Sequence, residues 1–402
     1  MAKFKYEGRD RTGKKSGKVT ANSRREAVLK LSELGIRITN IEEIPETLLT
    51  KDIAIGNPVK LQEFVIYLRQ FSTLLRAGVT IVDATNILAK QTSSKPLRKA
   101  LEQMEDDLKS GQALSVAAAK HKRIFSSMFV NMIKAGEASG SMEETLDRLA
   151  VQYEKQHRTK QKIQSALAYP MAVAIVAVVV VIFLLVSVVP TFVSMFEGFG
   201  AQLPAITLFV LNSSIFMQEY WYIVILFFVA VFSTFYGLRK NKQTKYYLDV
   251  VALRMPIFGS MIQKAVLARM TRTLSSLFSS SVPILQSLLI VEKIVENEVV
   301  AKVIANSRVS LENGLSLTEP MKKHWAFPPL VTQMIAIGEE TGSLDEMLGK
   351  VADFYEEEVE NSTDRLKSLI EPLMIVLLAG IVGTIVIAII VPMFDIFNHV
   401  QM

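Results

Sequence analysis

The chain of 402 residues contains no Cys, which excludes structural disulfides, Cys-ligated zinc, iron–sulfur clusters and thiol nucleophiles together. Histidine is nearly as scarce. The four present, His121, His157, His324 and His399, fall in no HExxH or HxH spacing, so a His-based metal site would need distant parts of the chain to converge. Pro (13) and Gly (19) are too few for a collagen-like or low-complexity segment. Charge is missing from three blocks, 171–189, 221–238 and 373–391, none of which holds an Asp, Glu, Lys or Arg.

These uncharged blocks carry much of the 50% hydrophobic content and the mean hydropathy of +0.31. Each approaches the roughly 20 residues that cross a bilayer core as a helix, and buried helices of soluble domains seldom run this long without a polar face. Three transmembrane helices are expected there. No apolar stretch lies near Met1, so the first span is expected to direct insertion itself.

Lys and Arg are absent from 190–220 and from 392–402, whereas Lys155, Arg158, Lys160, Lys162, Arg239, Lys240, Lys242, Lys245, Arg365 and Lys367 flank the other ends of the spans. Positive residues stay on the cytoplasmic side. The expected topology has the N-terminus inside, 190–220 as an external loop, 239–369 inside, and 392–402 as an external tail. The basic inner face suits an anionic lipid surface or an acidic partner.

The chain repeats itself at an offset of 202–203 residues. Ile133-Lys-Ala-Gly-Glu-Ala-Ser-Gly-Ser-Met-Glu-Glu-Thr-Leu146 answers Ile335-Ala-Ile-Gly-Glu-Glu-Thr-Gly-Ser-Leu-Asp-Glu-Met-Leu348, and Leu108-Lys-Ser-Gly111 answers Leu311-Glu-Asn-Gly314. Tyr153 answers Tyr355, and Pro170 and Pro190 answer Pro372 and Pro392. Two long copies are a tandem duplication, not a solenoid. Apolar residues recur at helical spacing (Phe64, Leu68, Phe71, Leu75), so each copy is expected to be a bundle of about six helices, over 61–168 and 239–369, followed by a span. The fold class is thus all-α, polytopic and duplicated, with a small α+β N-terminal domain over 1–46 and a linker over 47–60. In that domain, 3–7, 18–21 and 36–41 read as strands, and 23–34 as a helix ended by Gly35.

The repeated corner predicts local geometry. Gly140 and Gly342 break a helix. Ser141 and Ser343 then stand as N-caps, with Glu144 and Glu346 three residues later completing capping boxes. A second corner falls at Gly111 and Gly314, with Ser115 and Thr318 as cap candidates. The four prolines are expected to frame the spans, starting and stopping their helices. Glu137 and Glu339, beside Gly136 and Gly338, are expected inside the turn. There they could accept backbone N–H groups at the next helix start, contact a partner, or gather with Glu143 and Glu144 round a divalent cation. Glu371 replaces Tyr169 at headgroup level, either solvated, paired with Lys367, or touching a charged partner terminus.

Three chemistries can be set aside. Gly8-Arg-Asp-Arg-Thr-Gly13-Lys14 has phosphate-loop spacing, but Lys15 stands where Ser or Thr must hold Mg²⁺, and a strand rather than a helix follows. Basic residues are scattered without a nucleic-acid-binding motif, so no nucleic-acid partner is expected. The spans hold no ionisable group for a proton or ion relay. No cofactor and no enzymatic activity are expected.

The duplicated helical domains, the three spans, the paired G-E-x-[ST]-G-S-[LM] corners and the flanking prolines together resemble the type II secretion system protein F family, from about Leu61 to Met402. Residues 1–46 are similar to that family's small N-terminal domain. The resemblance implies a bacterial inner-membrane platform that binds a cytoplasmic assembly ATPase, pilin or pseudopilin subunits and other inner-membrane assembly proteins, and that forms homo-oligomers. Gly136, Glu137, Gly140, Gly338, Glu339, Gly342 and Glu371 are the candidate partner contacts. The alternative is a membrane receptor or scaffold whose lobes bind a signalling enzyme.

Overall fold

The computed structural model describes residues 2–10, 13–21 and 37–43 of the N-terminal part, with a few single positions between them, and then residues 58–197, 204–256 and 258–400. The chain divides into two compact units, Met1–Pro58 and Val59–Met402.

In the first unit, β1 (Ala2–Asp10), β2 (Gly13–Ala21) and β3 (Arg37–Glu43) form an antiparallel sheet in the order β2-β1-β3. Phe4, Tyr6 and Gly8 alternate with charged Lys3, Lys5, Glu7 and Arg9 along β1, the period of a strand with two unlike faces. Gly17 lies opposite Tyr6, and a Cβ there would meet the Tyr6 hydroxyl at 2.9 Å. The β1–β2 register runs from Ala2↔Ala21 to Asp10↔Gly13, so Gly8 and Gly13 belong to a hairpin and no helix follows to bind phosphate. Both strands are longer than expected. Most of the helix expected at 23–34, and most of the linker at 47–60, lie outside the described residues.

The second unit is helical. Its first copy comprises α1 (Leu61–Arg76), α2 (Ile81–Gln91), α3 (Lys95–Lys109), α4 (Leu114–Ala119), α5 (Ser127–Ser139) and α6 (Met142–Phe183). A π-helical turn (Leu184–Val188) and α7 (Val189–Glu197) extend α6, and α8 (Ala205–Glu219) and α9 (Trp221–Lys240) follow. After α10 (Lys242–Arg254), the second copy runs through α11 (Phe258–Ser279), α12 (Ile284–Ile294), α13 (Glu298–Glu312), α14 (Glu319–Lys322), α15 (Pro329–Thr341) and α16 (Leu344–Val400). Local chemistry sets several starts. Thr80, Ser126 and Asn297 accept from the backbone N–H of Asp83, Phe129 and Val300 respectively, satisfying donors that a helix N-terminus leaves unpaired.

One hydrophobic core runs through both copies. The first copy packs it with rings: Phe64, Tyr67, Phe125 and Phe129 lie within 6.2 Å of one another in successive pairs. At matching positions the second copy uses Leu267, Met270, Phe327 and Val331, also buried. The repeat thus keeps these four positions inside while three of the four side chains that fill them differ, Phe125 and Phe327 alone being alike.

Among the described residues, three helices are long and apolar enough to cross a membrane: Met142–Met195, Trp221–Arg239 and Leu344–Pro392. The prolines do not delimit them. Pro170 lies inside α6, Pro372 and Pro392 lie inside α16, and Pro190 lies within α7. Each removes one backbone donor, but in apolar surroundings the intact remainder of the helix is worth more than a break that would expose further backbone groups. The segment 190–220 is likewise no simple loop. It holds α7 and α8, and α8 buries Thr207, Val210 and Ser214 on one face against the π turn, α7 and α16. From 392 the chain continues as the end of α16.

Candidate functional site

Each repeated corner is built from three residues with distinct duties. Gly140 and Gly342 terminate α5 and α15 in the left-handed conformation, at φ 73° and 72°, where a Cβ would be strained. Gly136 and Gly338 lie one turn earlier for a different reason. A Cβ on Gly136 would meet Thr145 Oγ1 at 2.6 Å, and one on Gly338 would meet the Leu344 Cα at 2.9 Å. Only glycine lets α5 approach α6, and α15 approach α16, this closely.

Glu137 and Glu339 are not inside the turn. They lie on the last turns of α5 and α15, and each reaches back to a helix start 22 residues upstream rather than to the next one. Glu137 accepts from the Ser115 backbone N–H at 3.1 Å and from its hydroxyl at 2.5 Å. Glu339 accepts from the Leu317 N–H at 2.9 Å and the Ser316 hydroxyl at 2.6 Å. The hydroxyl has moved one position between copies, yet the carboxylate keeps both bonds. Each corner glutamate therefore fastens the end of α5 or α15 to the segment after Gly111 or Gly314, where negative charge also suits unpaired N–H groups. Ser115 is accordingly the second residue of α4, not its cap, and Thr318 precedes α14 without a side-chain cap bond.

The expected capping boxes do not form. Helices do begin at Met142 and Leu344, but the Ser141 hydroxyl pairs with Ser139 at 2.7 Å and that of Ser343 with Thr341 at 2.6 Å. Ser141 caps nothing, because its backbone is not extended there (φ −102°, ψ 44°). Glu144 and Glu346 instead pair one turn onward, with Arg148 and Lys350, both at 2.7 Å. The carboxylates proposed to gather round a cation are also dispersed: Glu137 holds Ser115, Glu143 faces Arg76 at 3.4 Å, and Glu144 faces Arg148. Among the described residues no group of three His, Cys, Asp or Glu could hold a metal ion. Glu371 is exposed on α16, and among the described residues no ion pair joins it to Lys367.

A second duplicated device went unread in the sequence. Arg69 on α1 makes a bidentate pair with Glu154 on α6, both bonds 2.6 Å, and reaches Asp147 at 2.8 Å. At the matching place Arg272 on α11 grips Glu356 on α16 with two 2.8 Å bonds and also contacts Asp353. The hydrogen bonds and charge of Arg69 hold the Glu154 carboxyl below its ordinary range. Burial works against the Arg272 charge, but Glu356 and Asp353 outweigh it and raise the guanidinium further. The spacing of Arg69 and Arg272, and of Glu154 and Glu356, by the repeat offset was the available signal.

This device also joins the copies. Lys155 of α6 donates to Asp353 of α16 at 2.7 Å and lies 3.3 Å from Glu356, and Lys162 pairs with Glu360 farther along the same two helices. Ser276 donates to Gln152 at 3.0 Å. The ion pairs are half-exposed, so individually each is worth about 1 kcal/mol or less. Their value lies in fixing the register of α6 against α16. Those two helices continue without a loop into the first and third candidate spans.

Comparison with known proteins agrees with this architecture. The sequence profile of the type II secretion system protein F matches twice, over residues 67–190 and 270–392, and that of the family's N-terminal domain over residues 1–42. The chain is 39% identical to the type IV pilus assembly protein PilC of Pseudomonas aeruginosa over 86% of its own length and 92% of that protein's. It is 38% identical to the protein of the same name from Thermus thermophilus, over 99% of both chains. To the type II secretion system protein F of Aeromonas hydrophila it is 32% identical over 95% of this chain and 99% of that one.

Proposed function

Because the chain belongs to the type II secretion system protein F family, we propose that it is the inner-membrane platform of a machine that assembles pilin-like subunits, linking a cytoplasmic ATPase to their polymerisation. The observation that carries this reading is the continuity of α6 and α16, 42 and 57 residues long, from the corner motifs into the membrane-crossing segments. A force applied to either helical lobe reaches the bilayer through an unbroken helix, and the ion pairs between α6 and α16 keep the two in step. The distribution of Lys and Arg supports lobes on the cytoplasmic side, where a motor would act. The work asked of the chain is mechanical, and the corner glutamates serve it by stiffening the lobes rather than by chemistry.

The test is deletion of the gene, complementation with tagged protein, microscopy for surface fibres, and co-purification in mild detergent. A platform restores fibres and retains an assembly ATPase together with pilin-like subunits. Fibres that persist without the gene, or a reporter after Val250 found outside the cell membrane, would overturn it. Recovery of a signalling enzyme in place of the ATPase would favour the receptor reading.

A further inference from the structure

Helix α10 begins one residue after α9, the second candidate span, with Asn241 as the joint and cap. Its inward face combines apolar packing with polar contacts: Leu253 is buried in the core, and Tyr246 and Val250 pack against it. Lys245 pairs with Glu298 at 2.9 Å, Asp249 accepts from the Glu298 backbone N–H at 2.7 Å, and Lys302 lies over the Tyr246 ring at 5.2 Å. Its outward face is apolar: Tyr247 is 69% exposed, Val251 61% and Met255 47%. Phe258, at the start of α11, is also exposed. Trp325, 45% exposed between α14 and α15, joins the same patch through Arg254, whose guanidinium carbon lies 5.2 Å from the ring centroid.

A helix that packs one apolar side inward and still presents a second row of large apolar side chains outward is unfavourable in water, since each exposed apolar group forgoes about 1.5–3 kcal/mol of burial. Tyr247 and Val251 on the helix and Met255 at its C-cap follow one another at four-residue spacing on the exposed side, so one flat surface can cover all three. Aromatic rings beside a cation suit the boundary between acyl chains and headgroups, and the direct junction with a membrane span brings that boundary to within a residue of the helix start. We propose that α10, with the Trp325 loop, lies in the headgroup layer of an anionic bilayer, its apolar stripe facing the acyl chains and Arg254 facing lipid phosphates. The lobe of the second copy is thereby held flat against the membrane instead of standing off it. This rests on the reading of α9 as a span.

The absence of native Cys makes the test direct. Full-length protein is reconstituted into vesicles of mixed neutral and anionic phospholipid, with a spin label at Val251→Cys, Phe228→Cys on α9 or Leu315→Cys on the exposed Gly314 corner. The label at 251 should be severalfold more accessible to oxygen, relative to a water-soluble nickel chelate, than the label at 315. In W221F protein, Trp325 emission should be quenched more by phospholipid brominated near the headgroup than by phospholipid brominated near the chain end, and Arg254→Glu should reduce that quenching. Chelate access at 251 equal to that at 315, with 228 buried in lipid, would overturn the proposal while leaving the span intact. Chelate access at 228 would remove the span and the proposal with it. Spin–spin broadening at 251 would assign the stripe to a second copy and likewise overturn it.

Discussion

The Thr207 hydroxyl donates to the Ala388 carbonyl at 2.7 Å, the acceptor whose helical donor would be the N–H that Pro392 lacks. Four residues separate carbonyl and proline, the spacing of one α-helical bond. The other copy repeats the arrangement with a shift. Pro190 follows a π turn, in which bonds span five residues, and the Ser214 hydroxyl donates to the Leu185 carbonyl. Helix α8 thus supplies both hydroxyls that pair carbonyls left without a helical donor near Pro190 and Pro392 in two continuous spans. Thr207→Val keeps the shape and removes the donor, so stability in detergent should fall by about 1–3 kcal/mol. Thr207→Ser should retain most of it. Adding Pro392→Ala, which restores the backbone donor, should recover part of the loss in a double-mutant cycle of thermal unfolding; strict additivity would show that the two groups do not share the carbonyl.

The same logic of paired partners governs the corners. Glu137→Ala leaves the Ser115 N–H and hydroxyl without their acceptor, and Glu339→Ala does the same at Leu317 and Ser316. Each should cost about 1–3 kcal/mol and loosen α4 or α14, read as faster amide hydrogen exchange there. Loss of ATPase co-purification with no change in exchange would make these glutamates contact residues instead of fasteners.

Gly136→Ala should be worse than an ordinary helix substitution, because the added carbon meets Thr145 Oγ1 at 2.6 Å. Overpacking of this kind costs about 1–3 kcal/mol, and Thr145→Ala in the same chain should relieve it. Gly140→Ala has free space around it but a left-handed backbone, so its cost of about 1–2 kcal/mol should be indifferent to Thr145. Comparing the melting temperatures of the two double variants separates close approach from backbone strain.

How much of this was readable beforehand depended on how far the partner lies along the chain. Gly140 and Gly342 announce themselves locally, since a glycine ends each apolar-periodic run, and the repeat doubles the signal. Phe64, Leu68 and Phe71 gave the core face of α1 from their spacing. Glu137 and Glu339 did not, because their partners are 22 residues upstream, and short-range capping logic assigned them to the wrong helix start. The capping boxes failed because Ser141 and Ser343 each had a nearer hydroxyl to pair with. Pro170, Pro190, Pro372 and Pro392 misled because the helix-breaking rule weighs one lost bond against water, whereas here the alternative is an apolar phase. With the prolines taken as boundaries, α8 had no evident task and 190–220 read as a loop. Arg69 and Arg272 could have been found by asking which charged residues recur at the repeat offset together with an opposite charge.

The last expectation concerns acid. Burial pushes the Asp353 carboxyl up, but hydrogen bonds from Lys155 and Arg272 outweigh it and hold the group below its ordinary value, and Arg69 does the same for Glu154. A carboxyl depressed in the folded state adds stability above its unfolded pKa, about 4, and loses it as pH falls through the folded value. The register of α6 against α16 should therefore be insensitive to pH between roughly 6 and 8 and weaken below about 4. Asp353 is 63% exposed, so solvent screens the pair and the change should be modest. Thermal unfolding in detergent across that range, on native protein and on Lys155→Met, measures it. The variant should be less stable at neutral pH and lose less on acidification, because one partner of the titrating carboxylate is already gone. Equal acid sensitivity in both would mean that the α6–α16 register is set by the apolar core, with the Lys155 bridge contributing nothing.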